Sequence, residues 1–323
     1  MLTVAQYSNL INEHIARISY PSEPNGLYEP IRYSLDAGGK RIRPVLTLAT
    51  CEAFGADPLH AINQALGIEM FHNFTLLHDD LMDHSPVRRS RPTVYVKWDE
   101  RTAILSGDAM LTMAGMLMRG GEAPSLPAPA LTQLLDLYDR TAMEVYEGQQ
   151  LDMDFEARND VAVEEYTNMI RLKTSVLLGC ACQLGAIMAG ACDSDAKAMY
   201  RYGELLGLAF QMQDDYLDTF GDTETFGKPI GGDILNEKKT WLLISAMHRV
   251  HDHSLADALI LDNPADKIEA VRDIYRVLGL DRECRQMVTR FSSEAIASLP
   301  ESLSQEAREF FMSLARNAET RTK

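Results

Sequence analysis

Two stretches of the chain end a long apolar run in the same acidic pattern. "MFHNFTLLHDDLMD" closes on Asp79, Asp80 and Asp83, and "LLGLAFQMQDDYLD" closes on Asp214, Asp215 and Asp218. On a helix, residues four apart stack on one face about one turn apart, so each Asp-Asp-x-x-Asp sets two carboxylates side by side at the end of an otherwise apolar rod. Like charges gathered there repel one another unless cations lie among them. A chain that builds this device twice must bury both rods and keep both acidic ends within reach of a ligand, which favours a bundle of helices over a sheet.

The rest of the sequence agrees with that constraint. Apolar residues recur at helical spacing, Ala, Leu, Met and Glu are abundant, and runs of β-branched residues at period two are absent. The periodicity predicts helices over Val4–Ile18, Val45–Phe54, Pro58–Met82, Arg101–Met118, Ala130–Phe155, Val163–Ala191 and Asp195–Thr219, with several more from Asn236 onward. The expected fold is all-α, a bundle of long helices around a deep central cavity. "RGGEAPSLPAPA" breaks the pattern but is short enough to be a loop, and no linker-like composition divides the chain. A single domain over residues 1–323 is therefore expected.

A net charge of -16 argues against nucleic acid as a partner, since neutralising phosphates needs a basic face. Carboxylates can still recruit divalent cations that then present positive charge to a phosphate. The start, "MLTVAQYSNLINEH", has no basic segment followed by an apolar core, and no uninterrupted apolar run is long enough to span a membrane, so a cytoplasmic protein is expected. The five scattered cysteines form neither a disulfide framework nor a zinc pattern, and Cys180 and Cys182 read as small core residues.

Oxygen donors without cysteine, and no EF-hand glycine loop, point to a hard ion, Mg²⁺ before Ca²⁺ or Zn²⁺. Because Mg²⁺ keeps waters and shares its shell between carboxylates and phosphate oxygens, two acidic helices suggest a diphosphate held between them. The basic residues fit that ligand. "GGKRIRP" places Lys40, Arg41 and Arg43 as exposed cations in a loop before a helix, and Arg88 and Arg89 follow the first acidic cluster directly. Lys173 interrupts an apolar helix, where a buried lysine needs an anion such as the diphosphate.

"GGKRIRP", "LLHDDLMDHSPVRRS", "FQMQDDYLDTFGD", "GKPIGGDI" and "KKT", in this order and spacing, resemble the trans-prenyl diphosphate synthases, the head-to-tail polyprenyl synthetase family, from about residue 30 to residue 245. Ser90 departs from the pattern, which usually has glycine after the paired arginines. The resemblance implies an isoprenoid-synthase bundle that joins isopentenyl diphosphate to an allylic diphosphate (dimethylallyl, geranyl or farnesyl) with three Mg²⁺ ions. By the same resemblance Asp79, Asp83 and Asp214 hold the metal, and Asp80, Asp215 and Asp218 support its water ligands. Arg88, Lys173, Lys228 and Lys238 would bind the allylic diphosphate, and Lys40, Arg43, His72 and Arg89 the isopentenyl one. Lys173, Thr174 and Gln211 would act at the reacting centre, the latter two by stabilising an allylic cation. A homodimer is implied, with apolar helices such as Thr102 to Met118 at its interface.

Chain length would be set on the helix before Asp79, where Phe71, Phe74 and Thr75 form the floor. An aromatic five positions before Asp79, followed by a smaller residue, resembles the C20 geranylgeranyl enzymes, with the C15 farnesyl product as the alternative. A class I terpene cyclase would share the fold but needs no second diphosphate site. A non-catalytic subunit of a heteromeric synthase would have no need to keep both acidic clusters.

Overall fold

The computed structural model describes residues 1–120, 126–221 and 230–320, and Lys228 lies outside them. The chain divides into two compact units. The first comprises Met1–Asp139 and Cys180–Lys197, the second Arg140–Gly179 and Ala198–Lys323. Three helices, α7 (Ala128–Glu156), α9 (Val176–Met188) and α10 (Asp193–Phe220), contribute residues to both.

In the first unit, α1 (Val4–Ala16) starts on a capping box between Thr3 and Gln6 and buries Tyr7, Ile11 and Ile15 at helical spacing. Helix α2 (Asn25–Asp36) was not among the helices expected from the sequence, and Pro30 falls inside it. A proline there removes one early backbone bond, and the buried Pro30, Ile31 and Leu35 show the packing that outweighs it. Helix α3 (Ile42–Ala53) is entered through Arg41 in a left-handed conformation, φ 50°.

A short 3₁₀ turn (Pro58–Ala61) leads into α4 (Ile62–Met82), which is buried along most of its length before Asp79. Helix α6 (Glu100–Met118), capped by Asp99 through Thr102 N at 2.8 Å, packs along α4, and α5 (Val94–Lys97) precedes it. Between α4 and α5 the chain forms a two-residue ladder, β1 (Val87–Arg88) against β2 (Arg91–Pro92). Its turn residues Arg89 and Ser90 have φ 52° and 59°, the left-handed pair that a tight hairpin requires.

The second unit carries α8 (Val163–Ile170), a π-turn (Arg171–Ser175) and the start of α9. One unbroken α-helix over this region was expected. A Cβ on Gly148 of α7 would overlap the backbone nitrogen of Lys173, so α7 runs against this backbone, and the local geometry widens there by one residue. The remainder is α10 from Ala198, then α11 (Gly232–Leu235), α12 (Trp241–Arg249), α13 (Ser254–Leu259), α14 (Pro264–Val277), α15 (Leu280–Ala297) and α16 (Gln305–Thr320). Tyr202 of α10 donates to the Phe311 carbonyl at 2.8 Å, tying α16 to it.

Residues Val163–Met188 have the length and mean hydropathy, 1.3, of a membrane span, and 83% of that apolar window is buried inside the protein. Internal packing accounts for its apolarity.

Candidate active site

In the first unit, Asp79 and Asp80 sit in the last turn of α4, with Asp83 as its C-cap. The three differ in surroundings. Asp83 is exposed and Asp79 half-buried, whereas Asp80 is buried and bound to Arg88, Nε to Oδ1 at 2.6 Å. Arg88 also reaches Asp79 Oδ2 at 3.3 Å. Burial raises the Asp80 carboxyl to about 6 despite the opposing pull of Arg88.

The expected isopentenyl residues also lie in this unit. Arg43, in the first turn of α3 and not in the loop before it, has Nη1 at 3.1 Å from His72 Nε2. A guanidinium can only donate, so His72 accepts on Nε2 and carries its proton on Nδ1. Burial, followed by Arg43, Arg89, Arg88 and Arg41, pushes the imidazole well below its usual pKa and keeps it neutral. Arg89 lies over Gly39 (φ 132°), where a Cβ would come within 2.8 Å of its guanidinium, and Nη1 donates to the Gly38 carbonyl. The paired glycines are thus the seat of Arg89. Lys40 is exposed beside them. A small cleft lies alongside, its walls including Tyr33, Asn73, Asp80, Arg88, Arg89 and Arg91. Arg41 corrects the expectation of an exposed cation: it is 5% exposed and paired with Glu69 at 2.5 Å.

The second unit repeats the acidic arrangement. Asp214 and Asp218 are half-buried and Asp215 is buried. Asp215 Oδ2 accepts from the Tyr166 hydroxyl and Oδ1 from Gln211 Nε2 at 3.1 Å. The Gln211 carbonyl oxygen lies 3.4 Å from the Thr174 hydroxyl, so the two residues expected at the reacting centre are neighbours. Lys173 was expected to be a buried lysine awaiting a diphosphate. It is half-buried, with Nζ 2.6 Å from Asp152 Oδ2 on α7, because the π-turn brings it against that helix.

Asp218 Oδ2 accepts from Asp233 N at 2.8 Å and its carbonyl from Gly231 N at 2.7 Å, which fixes the Gly-Gly-Asp turn. Burial and then Asp218 raise the Asp233 carboxyl, with Lys238 opposing; burial and then Asp233 raise that of Asp215. Lys238 is exposed.

Sequence reasoning missed Asp152, Tyr166 and Asp233. Asp233 stood within a quoted motif, "GKPIGGDI", and could have been found there. Asp152 is indistinguishable in sequence from exposed Asp154, and Tyr166 looks like any core aromatic.

On α4, Phe71 packs against Phe74 and Tyr138 with ring centroids 5.5 and 5.6 Å apart, and Phe74 against His78 at 4.8 Å. Phe71 is fully buried and Phe74 nearly so. The Thr75 hydroxyl bonds the His72 carbonyl at 2.8 Å. At about 100° per residue Thr75 lies within about 40° of Asp79 around the helix, and Phe71 within about 80°.

Each cluster therefore offers less buried outer carboxylates and a buried inner one held by protein donors. Among the described residues no three His, Cys, Asp or Glu side chains converge tightly enough to hold an ion unaided. This donor set fits Mg²⁺, which leaves much of its shell to water and phosphate oxygens.

The family model for polyprenyl synthetase matches residues 24–278, across both units. The chain is 41% identical over 228 residues to a geranylgeranyl diphosphate synthase of Methanosarcina mazei, covering 71% of this chain and 69% of that protein. A crystal structure of a geranylgeranyl pyrophosphate synthase matches with TM-score 0.92 and 41% identity over 100% of both chains. A geranylgeranyl pyrophosphate synthase from Corynebacterium glutamicum, described as complexed with isoprenyl diphosphate and magnesium, matches with TM-score 0.81 and 28% identity over 98% of this chain and 96% of that one. Relatives named as farnesyl and geranylfarnesyl diphosphate synthases also match. On the family match and the agreement over full-length structures, the chain is a prenyltransferase belonging to the polyprenyl synthetase family.

Proposed function

We propose that this short-chain prenyl diphosphate synthase condenses isopentenyl diphosphate with dimethylallyl, geranyl and farnesyl diphosphates to give the C20 geranylgeranyl product, acting as one catalytic domain over residues 1–323. The observation that carries the reading is the repeated carboxylate arrangement, in which the inner member, Asp80 or Asp215, is buried and held by protein donors while the outer members are less buried. Asp79 and Asp83 would hold two Mg²⁺ ions and Asp214 a third, and Asp80, Asp215 and Asp218 would support their water ligands. When bound, these ions neutralise the charge that diphosphate gains as it leaves.

Arg88, Lys173, Lys228 and Lys238 bind the allylic diphosphate, and Asp152 holds the Lys173 ammonium in place until phosphate oxygens share it. Lys40, Arg43, Arg89 and the neutral Nδ1–H of His72 bind isopentenyl diphosphate through charge-assisted hydrogen bonds. Gln211 turns its amide nitrogen to Asp215, which leaves its carbonyl oxygen and the Thr174 hydroxyl to stabilise an allylic cation. The acceptor double bond attacks that cation, and the departing diphosphate takes the proton lost when the new double bond forms.

Phe71, Phe74 and Thr75 set the floor. The relatives named as geranylgeranyl synthases support C20, and the farnesyl-named relative keeps C15 as the second reading. Five free cysteines, four of them buried, fit the reducing cytoplasm. On α6 the exposed Ile104, Leu105 and Met116 fit a homodimer interface.

The test is diphosphate release by the purified chain with both substrates, with and without Mg²⁺, and chromatography of the product. Asp79→Ala and Asp214→Ala should each lower turnover by orders of magnitude with the circular dichroism unchanged. Near-normal turnover in either would sink the two-cluster mechanism.

A further inference from the structure

The substrate reading leaves Arg41 without a task, although it is tied to the first unit more closely than its neighbours. Its side chain and that of Glu69 are each 3% exposed and lie 2.5 Å apart, Nη1 to Oε1. Nη2 donates to the Leu35 carbonyl at the end of α2 at 2.6 Å, and Nε to Asn12 of α1 at 3.1 Å. Asn73 Nδ2 donates to the same Glu69 oxygen at 2.9 Å. One side chain thereby joins α1, α2 and α4 to a backbone position held at φ 50°, a conformation that costs energy in a residue with a Cβ.

Stability does not explain such a pair. Replacing a buried ion pair by apolar side chains of similar volume is often neutral or stabilising, because both ions must be desolvated. What the pair supplies is direction. Arg41 stands between Lys40 and Arg43 and is the N-cap of the helix that carries Arg43. Glu69 precedes His72, the partner of Arg43, by three residues on α4. The Gly38 carbonyl that seats Arg89 lies three residues before Arg41.

We propose that the buried Arg41–Glu69 pair is the positioning device of the isopentenyl diphosphate subsite. It fixes the left-handed entry to α3, and with it the aim of Lys40 and Arg43 and the seat of Arg89. The proposal rests on the reading of Lys40, Arg43, His72 and Arg89 as that subsite. Arg41 touches no substrate in this account, and its charge alone is not sufficient, since only a guanidinium makes all three bonds at once.

The test uses the full chain and steady-state kinetics with each substrate varied separately. The double variant R41M/E69L removes both charges together, so that no unpaired ion is left buried. Its KM for isopentenyl diphosphate should rise about tenfold, with the allylic KM unchanged. R41K, which keeps the charge, should show the same selective rise. Parental isopentenyl KM in a folded R41M/E69L, or an equal rise in both KM values, overturns the proposal. If the double variant does not fold, a parental isopentenyl KM in R41K overturns it instead. Arg43→Ala separates the underlying reading: an unchanged isopentenyl KM there removes the subsite itself, whereas a selective rise in Arg43→Ala without one in the Arg41 variants removes only the positioning role.

Discussion

Asp79, Asp80 and Asp83 read alike in sequence, yet their environments give them different work. The same holds at Asp214, Asp215 and Asp218. Which carboxylate is buried goes with its donor, Arg88 in the hairpin just after the first cluster for Asp80 and the distant Tyr166 for Asp215, and the Asp-Asp-x-x-Asp pattern reveals neither pairing. The Tyr166 hydroxyl gives a direct test. Tyr166→Phe should leave the core filled but free one oxygen of Asp215, loosening Gln211, so turnover should fall more than either KM rises; unchanged turnover would show that Asp215 needs no such support. His72 carries a pH signature. Its folded pKa lies well below 6.5, so below about pH 6.5 the unfolded chain takes up a proton that the native imidazole refuses. Stability should be insensitive to this group above that pH and fall below it. His72→Asn should remove that component, which melting curves across the range would detect. A slope unchanged by the substitution would show that His72 does not cause it.

At the scale of elements, α4 packs along α6 and carries on one rod both the buried Phe71 and Phe74, proposed as the floor, and the carboxylates proposed to hold the metal. Phe74→Ala should lengthen the product while costing about 3 to 5 kcal/mol of stability through the cavity left between Phe71 and His78. A folded, active variant with an unchanged product distribution would reduce Phe74 to ordinary packing. The hairpin after α4 explains the departure at Ser90. Its φ of 59° suits glycine, and serine tolerates it under strain. Ser90→Gly relieves about 1 to 2 kcal/mol of left-handed strain against about 0.5 to 1 kcal/mol of added unfolded-chain entropy. A gain of up to about 1 kcal/mol in denaturant unfolding is expected; a loss would mean that the serine side chain holds the turn. Helix α2 escaped sequence reading. The propensity of its proline is local, whereas the packing of Ile31 and Leu35 that outweighs it is not.

For the whole molecule, the exposed apolar residues of α6 predict association. Leu105→Glu, at a position 61% exposed, should leave the helical content unchanged and shift sedimentation to the monomer. A variant that still sediments as a dimer would place the interface elsewhere. The sequence by itself determined the all-α class, the two acidic ends and the basic set that accompanies them. Each of these is a matter of periodicity and spacing along one chain segment, and helices convert spacing into faces by a fixed geometry. Only the tertiary structure decided that Arg41 is paired internally with Glu69 while Arg43 lies beside His72. It also decided that Lys173 already has a carboxylate beside it, and that the helix carrying it widens into a π-turn against Gly148. Two arginines two residues apart have the same intrinsic chemistry. Which one pairs with Glu69 and which one lies beside His72 follows from the packing of α1, α2 and α4 around them, and that packing belongs to no single stretch of sequence.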